Sequence, residues 1–194
     1  IYLCSGVLTW GLFSETLNNL VNVFISNANV LKKINFPKVC LPIIVSVSAF
    51  LNFLIIFTLF VIFLILTHNF PGWIILAIFP VLIIQMIFTV GLGVLLGVVN
   101  VFVRDVGQFV IILTQFWFWF TPIVYVRNIL PDWSRGLIDL NPMAVLIEAY
   151  QKIILFQQQP DWYKLLPVAI IAIIIFMFSW SLFRKHAADI VDEI

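Results

Sequence analysis

Between Lys38 and Arg104 the chain carries no formally charged residue, and His68 is the only other titratable side chain except Cys40 in that stretch. Two apolar runs result, 39–67 and 70–103, separated by His68-Asn69. An uncharged run beyond about 18 residues reads as a transmembrane helix, because roughly 20 helical residues cover the ~30 Å hydrocarbon core. No soluble fold needs two such runs in succession. The fold class this predicts is an all-α, polytopic membrane helix bundle.

Composition agrees: 63% of residues are hydrophobic and 10% charged, against about a quarter charged in soluble domains, and the mean hydropathy is +1.17. The net charge of +1 offers no electrostatic argument for a nucleic-acid partner. The few charges therefore inform by position. The two cysteines, Cys4 and Cys40, fall near opposite membrane faces, too far apart for a disulfide, and are expected to be buried small hydrophobes. The chain begins Ile1-Tyr2-Leu3, with no initiator Met and no basic region of a signal peptide, so it is expected to be a fragment.

Five membrane segments are predicted, at about 1–25, 41–66, 74–100, 106–126 and 165–183. The third apolar stretch, 70–103, is 34 residues long; as one helix it would reach about 51 Å. An interfacial turn at Phe70-Pro71-Gly72-Trp73 and an emergent end before Arg104 resolve the excess. Lys32, Lys33, Lys38, Arg104, Arg184 and Lys185 fall on one side in short loops or the tail. Arg127, Arg135, Lys152 and Lys164 are spread through 127–164 beside four acids. The denser basic side is expected to be cytoplasmic, which puts 127–164 outside. Within that region Asn141-Pro142 has the pattern of an N-cap and first helical residue. The helix that follows carries a narrow polar stripe of Glu148, Gln151 and Lys152. At about 14 residues, or ~21 Å, it is too short to cross, and is expected to lie in, or dip into, the outer leaflet.

Catalytic machinery is missing from the sequence. No Cys/His spacing suits a metal, and no phosphate-binding Gly-rich loop with its Lys occurs. Gly93 and Gly97 read as a small-xxx-small pair for close helix packing. Residues 26–38 have the pattern of a short amphipathic helix: Asn27 and Asn29 near its start, Val30, Leu31 and Ile34 on one face, Lys32 and Lys33 away from it, Phe36-Pro37 at its end. An ordinary basic loop and a docking element for a cytosolic partner both fit that pattern.

Several stretches together resemble the permease subunit of type-2 ABC exporters of cell-surface polysaccharides, the O-antigen, capsule and teichoic acid systems. They are W-G-L-F-S-E-T-L (10–17), I-S-N-A-N-V-L-K-K-I-N-F-P (25–37), N-V-F-V-R-D-V (100–106), T-P-I-V-Y (121–125) and L-N-P-M-A-V-L-I-E-A-Y (140–150). Their order covers essentially the whole chain. The resemblance implies six spans and an N-terminal interface helix, of which the first span and that helix are expected to be missing from this sequence. It makes 27–37 the coupling helix contacting a separate cytosolic ATPase subunit, which would use ATP and Mg while this chain carries no cofactor. It places Pro122, Asn141, Pro142 and Glu148 in an outer gate over 121–150, and Asn100, Arg104 and Asp105 at the cytoplasmic end of a span. It also implies a second copy of the chain, a lipid-linked polysaccharide as cargo, contact with membrane lipids, and the inner membrane of a bacterium or archaeon.

Two features stay open in the sequence. Glu15 with Asn18, Asn19 and Asn22 forms a stripe at i, i+3, i+4 and i+7. It either lines an aqueous or inter-subunit surface, or belongs to a segment that ends early and leaves Glu15 in the headgroups. Phe116-Trp117-Phe118-Trp119-Phe120 points all round a helix; it is packing plus an interfacial belt, or a sugar-stacking rail together with Tyr125. A type-2 permease for drugs or small lipids is the nearer rival reading, disfavoured by the aromatic run and the gate motif. A membrane enzyme acting on polyprenyl-linked sugars would need paired carboxylates or Arg-rich diphosphate sites, for which Arg104-Asp105 is too sparse.

Overall fold

The computed structural model describes residues 1–29, 37–125, 136, 138, 140–187 and 189–190. Six helices have defined bounds: α1 (Tyr2–Ser26), α2 (Cys40–Leu66), α3 (Ile78–Phe102), α4 (Asp105–Phe120), α5 (Pro142–Leu155) and α6 (Trp162–His186), with a 3₁₀ helix over Gly72–Ala77 leading into α3. No strand occurs among the described residues. Among the described residues, three helical stretches are long and apolar enough to cross a membrane: α2, the continuous Gly72–Phe102, and α6. The expected interfacial turn before α3 is that 3₁₀ segment, entered at Gly72 with φ +68°, a conformation glycine adopts without steric cost.

Helix α1 is as long as α6, and its polar side chains lower its hydropathy. Its course is nevertheless fixed by packing. Gln85 donates to the Thr9 carbonyl near one end and Asn100 to the Val21 carbonyl near the other, so α1 runs parallel to α3 through the same thickness. Gly93 and Gly97 make the approach possible: a Cβ on Gly93 would sit 2.7 Å from Leu20 Cβ, and one on Gly97 would sit 2.6 Å from the Leu20 carbonyl oxygen. On another face of α3, a Cβ on Gly91 would come within 2.8 Å of Phe176 Cα in α6. Three glycines in seven residues thus seat α1 and α6 against α3, where backbone proximity supplies the dispersion contacts that lipid-exposed leucines cannot.

Helix α4 ends at Phe120, short of the expected 126. The reason is local. Thr121 precedes Pro122 and is extended, with ψ 132°, the conformation a following proline imposes. At 16 residues α4 spans about 24 Å. Helix α5 is defined by its packing. It forms where Asn141-Pro142 predicts, but it is sunk into the bundle against α1, α3 and the 3₁₀ turn, with ten of its 14 residues buried. The polar stripe expected on it is broken, because Gln151 is buried while Glu148 and Lys152 stay half-buried. Both cysteines are free, Cys4 exposed and Cys40 half-buried, so neither is the buried hydrophobe expected.

One end of the bundle gathers the basic residues. Lys38 donates to the Ala187 carbonyl, and Phe102 packs edge-on against His186, which brings the start of α2, the end of α3 and the end of α6 together. At the opposite end Tyr2 donates to the carbonyls of Pro122 (3.3 Å) and Tyr125 (3.1 Å), closing α1 onto the turn after α4.

Candidate functional site: a polar and aromatic groove on α1 and α4

The stripe on α1 stays helical throughout, so Glu15 sits at mid-helix. Its two carboxylate oxygens accept from Asn52 Nδ2 at 3.1 and 3.0 Å. Asn52 is the single amide inside the 39–67 apolar run, and that isolation was the signal for it. Glu15, Asn19 and Asn52 are all exposed on the single chain. Their cost in lipid would be several kcal/mol.

Beside them a groove of about 400 Å³ opens between α1 and α4. Trp10, Ser14 and Asn18 line it from α1, and Ile111, Thr114, Gln115, Phe118 and Trp119 from α4. Asn18 Oδ1 is buried there with no partner. Ring faces beside amides and hydroxyls suit a ligand that is apolar on its C–H faces and polar at its rim. Of the lining residues, Ile111, Thr114 and Gln115 were not singled out from the sequence, since each taken alone is unremarkable in a helix, and Trp10 and Ser14 entered only as part of the 10–17 stretch.

The aromatic run divides in two. Trp117 turns inward, packing against Phe13 (5.3 Å) and Trp10 (6.4 Å), with its indole N–H on Asn141 Oδ1 at 2.9 Å. Phe118 is half-buried against Trp10 (5.6 Å). Phe116, Trp119 and Phe120 are 62%, 66% and 71% exposed.

Asn141 is the hub of the end opposite the basic one. Its Oδ1 accepts from Trp117 and, as the N-cap of α5, from the Met143 N–H at 3.0 Å. Its Nδ2 donates to Thr121 Oγ1 at 3.1 Å, and that hydroxyl donates to the Trp117 carbonyl. One amide therefore ties the end of α4 to the start of α5. Pro142 fills the first helical position, Pro122 is buried, and the Tyr125 hydroxyl donates to the Trp119 carbonyl. Glu148 faces Lys152 at 3.2 Å and Lys164 at 3.7 Å. Lys152 also pairs with Asp161, whose carboxyl this hydrogen bond holds below its ordinary range.

At the basic end Asn100 is 1% exposed and joins three helices. It donates to the Val21 carbonyl of α1 at 2.9 Å and accepts from the Gly107 N–H of α4 at 2.7 Å. Arg104 and Asp105 are exposed beside it. Of the expected coupling residues, Asn27 donates back to the Val23 carbonyl, and Asn29 and Pro37 are exposed. Leu31, Lys32, Lys33, Ile34 and Phe36 lie outside the described residues.

Residues 1–155 match the family described as ABC-2 type transporter. The chain is 28% identical over 191 residues to the O-antigen export system permease protein RfbA of Myxococcus xanthus, covering 97% of this chain and 74% of that protein. Two proteins of the same description from Klebsiella pneumoniae are 29% and 30% identical, over 79% and 78% of this chain and 60% and 59% of theirs.

Proposed function

This chain belongs to the ABC-2 type transporter family, and on that premise we propose that it is the channel-forming permease of an ATP-driven exporter of lipid-linked cell-surface polysaccharide. The observation that carries the reading is the groove. An otherwise lipid-compatible bundle exposes Glu15, Asn19 and Asn52 beside a lined cleft of rings and amides. Polar groups at that depth need a wet or protein surface, and a second copy facing the same stripe supplies both. Rings such as Trp119 offer a sequence-tolerant stacking surface for sugar C–H faces, while Asn18 and Gln115 address hydroxyls without demanding one sugar. The relatives' printed names, O-antigen export permeases, support a glycan as cargo.

ATP hydrolysis belongs in this reading to a separate cytosolic subunit, docked on residues 27–37 at the basic, cytoplasmic end. Its movement passes to α1, which continues from that segment, and through Asn100 to α4. The outer gate is the Asn141 hub with Pro122, Pro142 and Glu148.

Two measurements test this. With Cys4 and Cys40 replaced, Asn19→Cys should give a disulfide-linked dimer in membranes, whereas Leu59→Cys on the exposed apolar face of α2 should not. Leu31→Asp or Ile34→Asp should abolish surface polysaccharide and ATPase co-purification while the permease still inserts. A monomer at Asn19, together with normal export by both Asp variants, would refute the reading.

A further inference from the structure

The groove between α2, α3 and α6, away from the candidate channel face, is walled mainly by apolar side chains, with Ser46 and Ser179 as its polar residues. It holds about 180 Å³ and is lined by Val39, Pro42 and Val47 of the α2 side, Val94 of α3, and Phe176 and Trp180 of α6, among others. From Val39 to Val47 it runs along about 12 Å of helix. Val39 of its lining follows Lys38, which meets the Ala187 carbonyl, and there the charge changes. Phe176, Trp180 and Arg184 stand at i, i+4 and i+8, one ridge of α6, so the ridge that walls the groove ends in a guanidinium. Lys185 follows it. Both are exposed and neither makes an ion pair among the described residues; Asp189 is the exposed carboxylate nearest in sequence. Trp180 is 41% exposed one turn before Arg184, at the level where membrane proteins place interfacial indoles.

A second apolar groove makes the contrast. It lies between α2 and α3 toward the other end, with Phe53, Phe57, Phe70 and Phe79 among its lining. Its lining holds no Lys or Arg, and Thr58 is its polar residue.

We propose that the α2–α3–α6 groove is a binding site for an anionic phospholipid, one acyl chain lying along it and the phosphate resting on Arg184, Lys185 and Lys38. Basic pockets between membrane helices take anionic headgroups in this way, and such lipids are concentrated on the cytoplasmic face. The site does not depend on what the protein exports.

The full chain, in phosphatidylcholine nanodiscs, is labelled with phosphatidylglycerol or phosphatidylcholine carrying a chain-borne diazirine, and adducts are mapped by mass spectrometry. Phosphatidylglycerol should be favoured at Ile43, Val47, Val90 and Phe176, by about fivefold per basic residue, the equivalent of ~1 kcal/mol each. At Phe57 and Phe79 the two lipids should label alike. Lys38→Ala, Arg184→Ala and Lys185→Ala together should bring the first ratio to about that of the second groove, and Val94→Trp should remove labelling from the first groove alone. Equal labelling by both lipids in both grooves means annular lipid only and overturns the proposal. So does a preference that survives the triple substitution.

Discussion

Asn100 caps a helix it does not belong to. Its side-chain oxygen accepts the Gly107 N–H at 2.7 Å, and Gly107 is the third residue of α4, whose N–H has no partner within its own helix. Arg104, at the N-cap position, makes no side-chain cap. The cap is lent from the end of α3, while the same amide's nitrogen holds Val21 of α1. Gly107 is needed for the approach: a Cβ there would lie 2.7 Å from Asn22 Oδ1 and 3.0 Å from Asn100 Nδ2.

Asn100→Ala should therefore destabilise the protein by roughly 1–3 kcal/mol, the cost of leaving a buried donor unpaired. Asn100→Asp keeps an acceptor for Gly107 but presents a second oxygen to the Val21 carbonyl, and should not restore stability. Thermal unfolding in detergent measures both. A stable Asn100→Ala protein would show that the cap is dispensable.

Glycine replacements should split by sign. At Gly97 an added Cβ meets the Leu20 carbonyl at 2.6 Å, whereas at Gly11 nothing lies within 4 Å. Gly97→Ala should push α1 off α3 and cost about 1–3 kcal/mol. Gly11→Ala should gain up to ~1 kcal/mol from helix propensity. Melting temperatures that move in the same direction for both would contradict the packing described.

Trp117 and Trp119, two residues apart, should fail differently. Trp117→Ala removes a packed indole and a hydrogen bond to Asn141, and should cost about 3–5 kcal/mol. Trp119→Ala, at an exposed position, should change stability by no more than ~0.5 kcal/mol yet lower surface polysaccharide if it contacts cargo. Normal export with Trp119→Ala, Phe116→Ala and Phe120→Ala together would leave these rings to the lipid belt.

The tie between α5 and α6 should depend on acid. Lys152 holds the Asp161 carboxyl below its ordinary 3.8, so the pair contributes above that value and its contribution is lost as pH falls through the lower folded value. Because Asp161 is half-exposed, the effect is at most ~1 kcal/mol. Asp161→Asn should lower the melting temperature near neutral pH, with the gap to the unsubstituted protein closing as pH falls below 3.8. A gap independent of pH would assign the effect to packing instead.

The membrane-crossing α2, α3 and α6 were legible in the sequence because their signal is one-dimensional: runs of apolar side chains long enough for a bilayer. The start of α5 was legible for an equally local reason, since Asn141 caps and Pro142 begins whatever the surroundings. Gly93 and Gly97 announced a close helix contact but not its partner, and only the fold names Leu20. The same limit hid the pairing of Glu15 with Asn52, 37 positions apart, and the role of Asn100, whose partners lie on two other helices. It also hid which of five consecutive aromatics turn inward, because the direction of a ring on a helix matters only once a neighbour occupies that side. Hydrophobic length and caps are properties of a segment, so the sequence by itself determined them. Grooves, interhelical amides and the burial of α5 are properties of pairs of segments, and only tertiary packing could decide them.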